Sequence, residues 1–365
     1  MAGLYVHVPF CAAKCIYCDF YSRVRKDWTP YLEALLREIS DRKDELIRRP
    51  GQSGHDEAPP PTLYFGGGTP SLLPAVWLAR VAEAARETFR VSAFEEFTVE
   101  VNPDDVTAAK AAALRAAGAT RISMGVQSFD DRHLRWMRRR HTAADAIAAF
   151  GRLRTAGFDN LSLDLIFGFT GLSDEDWLYS IDQALALQPE HISCYQMTGR
   201  WADPDEERCQ RQYLLLQERL ETAGIRQYEV SNYARPGFES RHNRAYWARE
   251  PYLGFGPGAH SFDGDRRRSW NTPDIDAYVA NRPGGEEQLS DREVFEEKVM
   301  LALRTVQGLR LSALTPDERM LLAQKEPVLE RLSKTGKLRV TTDSLRIPPA
   351  GLFVSDGIIR DLFPD

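Results

Sequence analysis

The chain has 365 residues, 43% of them hydrophobic and 27% charged, with a formal net charge of −6, which is ordinary for a globular protein with a sizeable core. That charge gives no bulk attraction to a polyanion, so nucleic acid is not expected as a partner. No apolar run approaches the roughly 20 residues that span a bilayer, and the opening MAGLYVHV lacks the basic and long apolar regions of a signal peptide.

The first 230 residues alternate strand-like and helix-like runs. The pattern predicts strands at Leu4–Val8, Thr62–Phe65, Phe97–Val101, Arg121–Met124, Leu161–Ile166, His191–Gln196 and Gln227–Val230. Between them, Leu32, Leu35, Leu36 and Ile39 recur at helical spacing after Thr29-Pro30, and Trp77, Val81, Ala85 and Phe89 mark a second helix. Further helices are expected at 107–117, 143–156, 174–187 and 204–223. Such repeated alternation implies an α/β fold with a parallel sheet, most economically a βα barrel with its chemistry at the C-terminal strand ends.

Residues 49–61, RPGQSGHDEAPPP, read as an exposed loop. Residues 231–285 are rich in Gly, Pro and Asn with little periodicity, which predicts an irregular connection or lid. From residue 286 the pattern changes: helices at Glu297–Leu303 and Val328–Leu332, a hairpin over Leu338–Ile347 and a last helix at Ser355–Leu362. This order suggests a small winged-helix-like α+β domain over 286–365. It holds 12 Lys+Arg against 14 Asp+Glu, so its charge does not favour DNA, and a structural or partner-binding role is expected.

Five cysteines argue against a disulfide framework and for a reducing, cytoplasmic compartment. Three of them, Cys11, Cys15 and Cys18, fall within eight residues at a strand end, where a short loop can curl around one metal centre. An iron–sulfur cluster with one iron left open is the first reading, since clusters ordinarily take four cysteines. A zinc site completed by His7 or Asp19 is the second.

Other motifs sit where a barrel keeps its site. Gly66-Gly67-Gly68-Thr69 follows a strand, and consecutive glycines let backbone N–H groups approach an anion. Glu100, Gln127 and Asp164 are polar residues on otherwise apolar strands, where a buried unpaired polar group costs about 1–3 kcal/mol. Each serves either a structural hydrogen bond or a ligand; carboxylates suit ribose hydroxyls, and the Gln127 amide suits a hydroxyl or a carboxylate. The basic run 132–141 reads as a solvated helix face, from which one arginine can clamp a carboxylate.

CxxxCxxC after the first strand of a βα repeat resembles the radical S-adenosylmethionine superfamily. The resemblance implies a partial (β/α)6 barrel. It also implies a [4Fe–4S] cluster on Cys11, Cys15 and Cys18, and S-adenosylmethionine chelated to the fourth iron and cleaved to a 5′-deoxyadenosyl radical on one-electron reduction. The successive motifs YVHVPFCAAKCIYCDF, YFGGGTPS, VEVNP, GVQSF and DLIFGF are similar to those of the oxygen-independent coproporphyrinogen III oxidase (HemN-like) family, closest to its HemW-type haem chaperone branch. By that likeness Tyr5, Tyr17, Gly67, Gly68, Thr69, Glu100, Gln127, Arg139 and Asp164 match positions that bind S-adenosylmethionine.

Three features point to the chaperone branch. Phe20 stands where dedicated oxidases usually carry a further cysteine, the first strand begins by Leu4 without their N-terminal extension, and residues 242–247 carry HNxxYW. The resemblance implies haem as cargo and haem-accepting proteins as partners, with any membrane association coming through an acceptor. His242 is a candidate haem-iron ligand, with Tyr246 and Trp247 on the porphyrin face. The competing reading has His242 capping a turn and the aromatics filling core. The alternative activity is oxidative decarboxylation of coproporphyrinogen propionates to vinyls.

Overall fold

The computed structural model describes residues 3–24, 27–45 and 61–364. All but the last residue of the expected 49–61 loop lie outside them. In chain order the first part runs β1 (Gly3–Val8), α1 (Thr29–Asp41), β2 (Thr62–Gly67), α2 (Ala75–Phe89), β3 (Glu96–Val101), α3 (Ala108–Ala116) and β4 (Arg121–Gln127). It continues through α4 (Asp131–Trp136), α5 (Ala143–Thr155), β5 (Leu161–Phe167), α6 (Asp174–Ala186), β6 (His191–Gln196) and α7 (Glu206–Thr222). Strands β1 to β6 pair in sequence order, each parallel to the next, which is the partial (β/α)6 barrel.

Period-2 alternation explains how these strands build both a core and a site. In β3, Phe97, Val99 and Val101 are buried, and Phe65 of β2 lies 5.5 Å from Phe97, ring to ring. The alternate positions are polar: Thr62 and Tyr64, Glu96, Thr98 and Glu100, Arg121 and Ser123, Ser162 and Asp164, His191 and Ser193. One face of each strand therefore packs and the other carries the chemistry.

After β7 (Arg226–Gln227), the segment 231–285 expected as an irregular connection or lid instead forms regular structure: β8 (Asn232–Ala234), α8 (Arg241–Trp247), β9 (Tyr252–Phe255), β10 (His260–Phe262), β11 (Arg267–Trp270), α9 (Ile275–Val279) and, at its end, β12 (Gly285–Gln288). β8 pairs with β6 at one edge of the sheet, and β9 pairs parallel to β1 at the other, followed by the antiparallel strands β10 to β12. Periodicity missed these strands because each is only two to four residues long, and the glycines that looked like loop are turn residues between them. Gly256, Gly258 and Gly264 all have positive φ. The strand expected at Gln227–Val230 stops after two residues because Glu229 turns away to bridge Thr305.

The C-terminal unit comprises α10 (Asp291–Leu303), β13 (Leu309–Arg310), α11 (Pro316–Ala323), α12 (Glu326–Lys334), β14 (Arg339–Val340), β15 (Ser344–Arg346) and α13 (Ser355–Asp361). Its three strands form a separate sheet in the order β13-β15-β14. Helices followed by a short hairpin give the winged-helix-like arrangement, and capping boxes at Ser290 and Thr315 fix the starts of α10 and α11. Among the described residues, no helix is long and apolar enough to cross a membrane.

Candidate functional site

A cavity of about 660 Å³ opens at the C-terminal ends of β1 to β6. Its wall includes Cys11, Cys15, Cys18, Tyr17, Gly67, Gly68, Thr69, Glu100, Gln127, Arg139 and Asp164, so the structure brings all but one of the expected cluster and nucleotide residues together. The exception is Tyr5. Its hydroxyl donates to Nδ1 of His7 at 3.2 Å, while His7 Nε2 donates to the Tyr21 carbonyl at 2.8 Å.

The glycines are required by contact. Gly67 has φ +101°, and a Cβ there would sit 2.5 Å from the His7 ring. A Cβ on Gly68 would meet the Phe10 carbonyl oxygen at 2.5 Å. The loop is thereby pressed against the end of β1, beside the cysteines, and Thr69 Oγ1 donates to Cys11 Sγ at 3.5 Å.

Arg139 ties three parts of the wall together. Its Nη2 donates to Asn102 Oδ1 at 2.7 Å and to the Gly125 carbonyl at 2.5 Å, and Nη1 reaches Cys15 Sγ at 3.6 Å and the Tyr17 hydroxyl at 3.5 Å. Its Nε is buried with no hydrogen-bond partner among the described residues. The other arginines of the basic run, Arg132, Arg135, Arg138 and Arg140, form an exposed face on which Arg132 pairs with Asp130 and Asp176 and Arg140 with Asp104, while His133 and His141 of the same run are buried. Gln127 reaches the cavity through a β-bulge, at φ +72° where β4 shifts register against β5.

Two carboxylates line the middle of the cavity. Glu100 accepts from the Tyr64 hydroxyl at 2.8 Å and from the Gly67 N–H at 3.2 Å. Burial, reinforced by the nearby Asp164, pushes its pKa up to about 7 against the stabilising hydrogen bonds. Asp164 accepts from Ser123 Oγ at 3.0 Å, and burial raises its pKa too. Burial likewise pushes up the Cys18 thiol.

The donor set fits a cluster better than one zinc ion. Among the described residues, the group of candidate metal ligands gathered within 4.8 Å of one another is Asp130, His133 and Asp176, not the three cysteines. A tetrahedral zinc with bonds of about 2.3 Å would hold its sulfurs about 3.8 Å apart. Both carboxylates of the Asp130 group already pair with Arg132.

The HNxxYW helix, α8, closes the opposite end of the barrel. Glu96, the first residue of β3, accepts from the backbone N–H groups of Arg241 at 2.9 Å and His242 at 3.2 Å. His242 is 2% exposed; its Nδ1 is 2.7 Å from Thr62 Oγ1 and its Nε2 is 3.0 Å from the Tyr246 hydroxyl. Its ring stacks on Tyr64, 4.9 Å away, and burial lowers its pKa to about 3. With both nitrogens engaged and neither cavity reaching it, His242 does not stand as an available iron ligand here, and Tyr246 is its packing partner. Of the expected haem trio, Trp247 lines a second cavity, and His242 and Tyr246 line neither that cavity nor the main one. Asn243, between them, faces the main cavity.

A Radical SAM superfamily model matches residues 5–184. The Heme chaperone HemW of Mycobacterium tuberculosis (strain CDC 1551 / Oshkosh) is 35% identical over 99% of this chain and 94% of its own length. The chain belongs to the HemW family. The Heme chaperone HemW of Bacillus subtilis (strain 168) is likewise 35% identical, over 84% of each chain. Coproporphyrinogen III oxidase (HemN) from Escherichia coli, a solved structure, shares the fold, with a TM-score of 0.80 over 99% of this chain and 90% of that chain at 22% identity.

In this HemW-family chain several wall residues escaped the sequence reading: Tyr64, Asn102, Arg121, Ser193, Tyr195 and Asn243. Tyr64, Arg121, Ser193 and Tyr195 occupy the same alternating face as Glu100 and Asp164, so strand period was the signal that could have found them. Asn102 and Asn243 lie outside strands, and their signal was membership of the VEVNP and HNxxYW motifs rather than a strand period.

Proposed function

We propose that this chain is a radical S-adenosylmethionine haem chaperone, which binds haem and delivers it to acceptor proteins. The likeness to the Mycobacterium tuberculosis Heme chaperone HemW carries this reading, because it runs through 99% of the chain, α8 and the C-terminal unit included. Cys11, Cys15 and Cys18 would hold a [4Fe–4S] cluster, and the cavity wall would hold S-adenosylmethionine; together these supply one-electron radical chemistry.

In this reading each side chain has a definite task. The backbone around Gly67 and Gly68, with Thr69, receives the methionyl amino group. Arg139 and Gln127 would take the carboxylate, with Arg139 also bracing the cysteine loop through Cys15. Glu100 and Asp164 accept from ribose hydroxyls, and Tyr17 packs beside the cysteines. Tyr5 acts through His7, whose ring supports Gly67.

The domain reading has a barrel over 1–230, the α8-bearing connection over 231–285 and the winged-helix-like unit over 286–365. The sheet continues across the first boundary through the pairing of β7 with β8. Decarboxylation of coproporphyrinogen is the second reading, favoured by the fold shared with HemN. Phe20, 62% exposed at the cavity wall where that activity would expect a further cysteine, weighs against it. Anaerobic incubation of the reconstituted protein with S-adenosylmethionine, reductant, an electron acceptor and coproporphyrinogen III separates the two. The chaperone reading expects no decarboxylated product from a competent cluster, and catalytic turnover would overturn it.

A further inference from the structure

Arg121, the first residue of β4, is 1% exposed and lines the main cavity on the alternating face that also carries Tyr64, Glu100, Ser123 and Asp164. Strand register sets its depth. Glu100 pairs with Ser123 and Asp164 with Gly125, whereas Arg121 pairs with Thr98. At about 3.3 Å per residue, Arg121 lies about 7 Å below the level of Glu100, on the side away from the cysteines. Arg139, by contrast, sits at the cysteine end, where four contacts engage its guanidinium.

Nε of Arg121 is buried with no hydrogen-bond partner among the described residues. The carboxylates that face it are Glu96 and Asp164, with the Tyr64 and Tyr228 hydroxyls beside them. Glu96 is committed to the backbone of α8, accepting from the N–H groups of Arg241 and His242. His191 and His242 also feel the charge, and burial holds both neutral. A buried guanidinium is costly unless opposite charge balances it. Two carboxylates sharing a buried site have the reverse difficulty, because ionising one hinders the other. Asp164 disfavours the ionised form of Glu100, and Arg121 favours that of both; Arg139 adds to its effect on Asp164. The other titratable groups around the pair, Tyr5, Tyr64, Cys194 and Tyr195, are kept protonated by burial and bring no charge.

We propose that Arg121 is a positioning residue of the ribose site: from beneath, its charge keeps Glu100 and Asp164 a matched pair of acceptors without touching the nucleoside. The inference rests on the S-adenosylmethionine reading and deepens it. A carboxylate accepts through both oxygens, whereas a protonated carboxyl turns one of them into a donor. Glu100, with its pKa already at about 7, is the member of the pair that takes the proton when Arg121 is lost.

The test uses full-length protein with its cluster reconstituted, titrated anaerobically with S-adenosylmethionine from pH 6 to 8.5, with infrared spectra of the ligand-free protein over the same range. In Arg121→Gln the affinity at pH 7 is expected to fall about tenfold, and its rise with pH to move up by about one unit. The carboxylic-acid band that Glu100→Gln removes should titrate away correspondingly later. Arg121→Lys, which keeps the charge, should hold the wild-type profile. If Arg121→Gln does not fold, R121Q/E100Q is compared with Glu100→Gln at pH 8: affinities within about threefold are expected, and a further tenfold loss overturns the inference. An Arg121→Gln that binds more weakly at every pH, with profile and band in place, marks a structural role and overturns it too. A wild type that binds no S-adenosylmethionine overturns the nucleotide reading, and this inference with it.

Discussion

Thr62 Oγ1 and His242 Nδ1 lie 2.7 Å apart, which fastens the first turn of α8 to the first residue of β2. A chain of contacts continues from there to the main cavity: His242 stacks on Tyr64, and Tyr64 donates to Glu100. The HNxxYW motif is thus part of the barrel's foundation as well as a signature. Truncating His242 to Ala removes a buried ring and orphans the Thr62 and Tyr246 hydroxyls. A loss of about 2–4 kcal/mol is expected in urea unfolding, with cluster content unchanged in the folded fraction.

The same residue sets a pH dependence. Its folded pKa, lowered by burial first and by the Arg121 charge second, lies near 3 against 6.5 for the ordinary group. As pH falls, the unfolded chain takes up the proton first. The stability His242 confers is therefore complete above about pH 7 and is lost progressively below 6.5. Thermal melts from pH 7 to 5 should fall less steeply in His242→Gln than in wild type, and equal slopes would remove His242 as the cause.

Glu100 titrates in the opposite sense. Its pKa is raised from 4.5 to about 7, so as pH rises the unfolded chain ionises first, and Glu100 costs stability that is lost between those values. Ligand binding should move the other way, because the ionised carboxylate accepts ribose hydroxyls better. S-adenosylmethionine affinity of the reconstituted protein is expected to rise several-fold from pH 6 to 8. Glu100→Gln should bind more weakly and lose that dependence.

Arg139 is expected to be intolerant of its nearest substitute. Lysine cannot contact Asn102, the Gly125 carbonyl, Cys15 and Tyr17 at once from one planar group. Arg139→Lys should lower S-adenosylmethionine cleavage at least tenfold with the fold intact by circular dichroism. Gly67→Ala, with a Cβ 2.5 Å from His7 at positive φ, should lose S-adenosylmethionine binding while retaining iron.

The cysteine cluster is the simplest to check. Replacing any one of Cys11, Cys15 and Cys18 with Ala should abolish the brown colour after anaerobic reconstitution. Iron should fall from about four atoms per chain towards zero. Zinc at one atom per chain in wild type would contradict the cluster assignment.

The barrel was legible in the sequence because strands of six or seven residues with one apolar face leave a strong period, and their polar alternates mark the site. The three- and four-residue strands of 232–288 were not, since strands that short have no period to read. The position of α8 was equally hidden. HNRAYW is recognisable as a motif, but only the fold shows His242 sealed beneath the barrel, Asn243 facing one cavity and Trp247 facing the other.

Whether this chain carries haem to acceptors is tested by direct transfer. Reconstituted protein loaded with one haem is mixed anaerobically with excess apo-haemoprotein, and the Soret band of each partner is followed with and without S-adenosylmethionine and reductant. Stoichiometric transfer is expected, faster from the loaded protein than from haem released into buffer. Failure to retain haem, or transfer no faster than release, would contradict it.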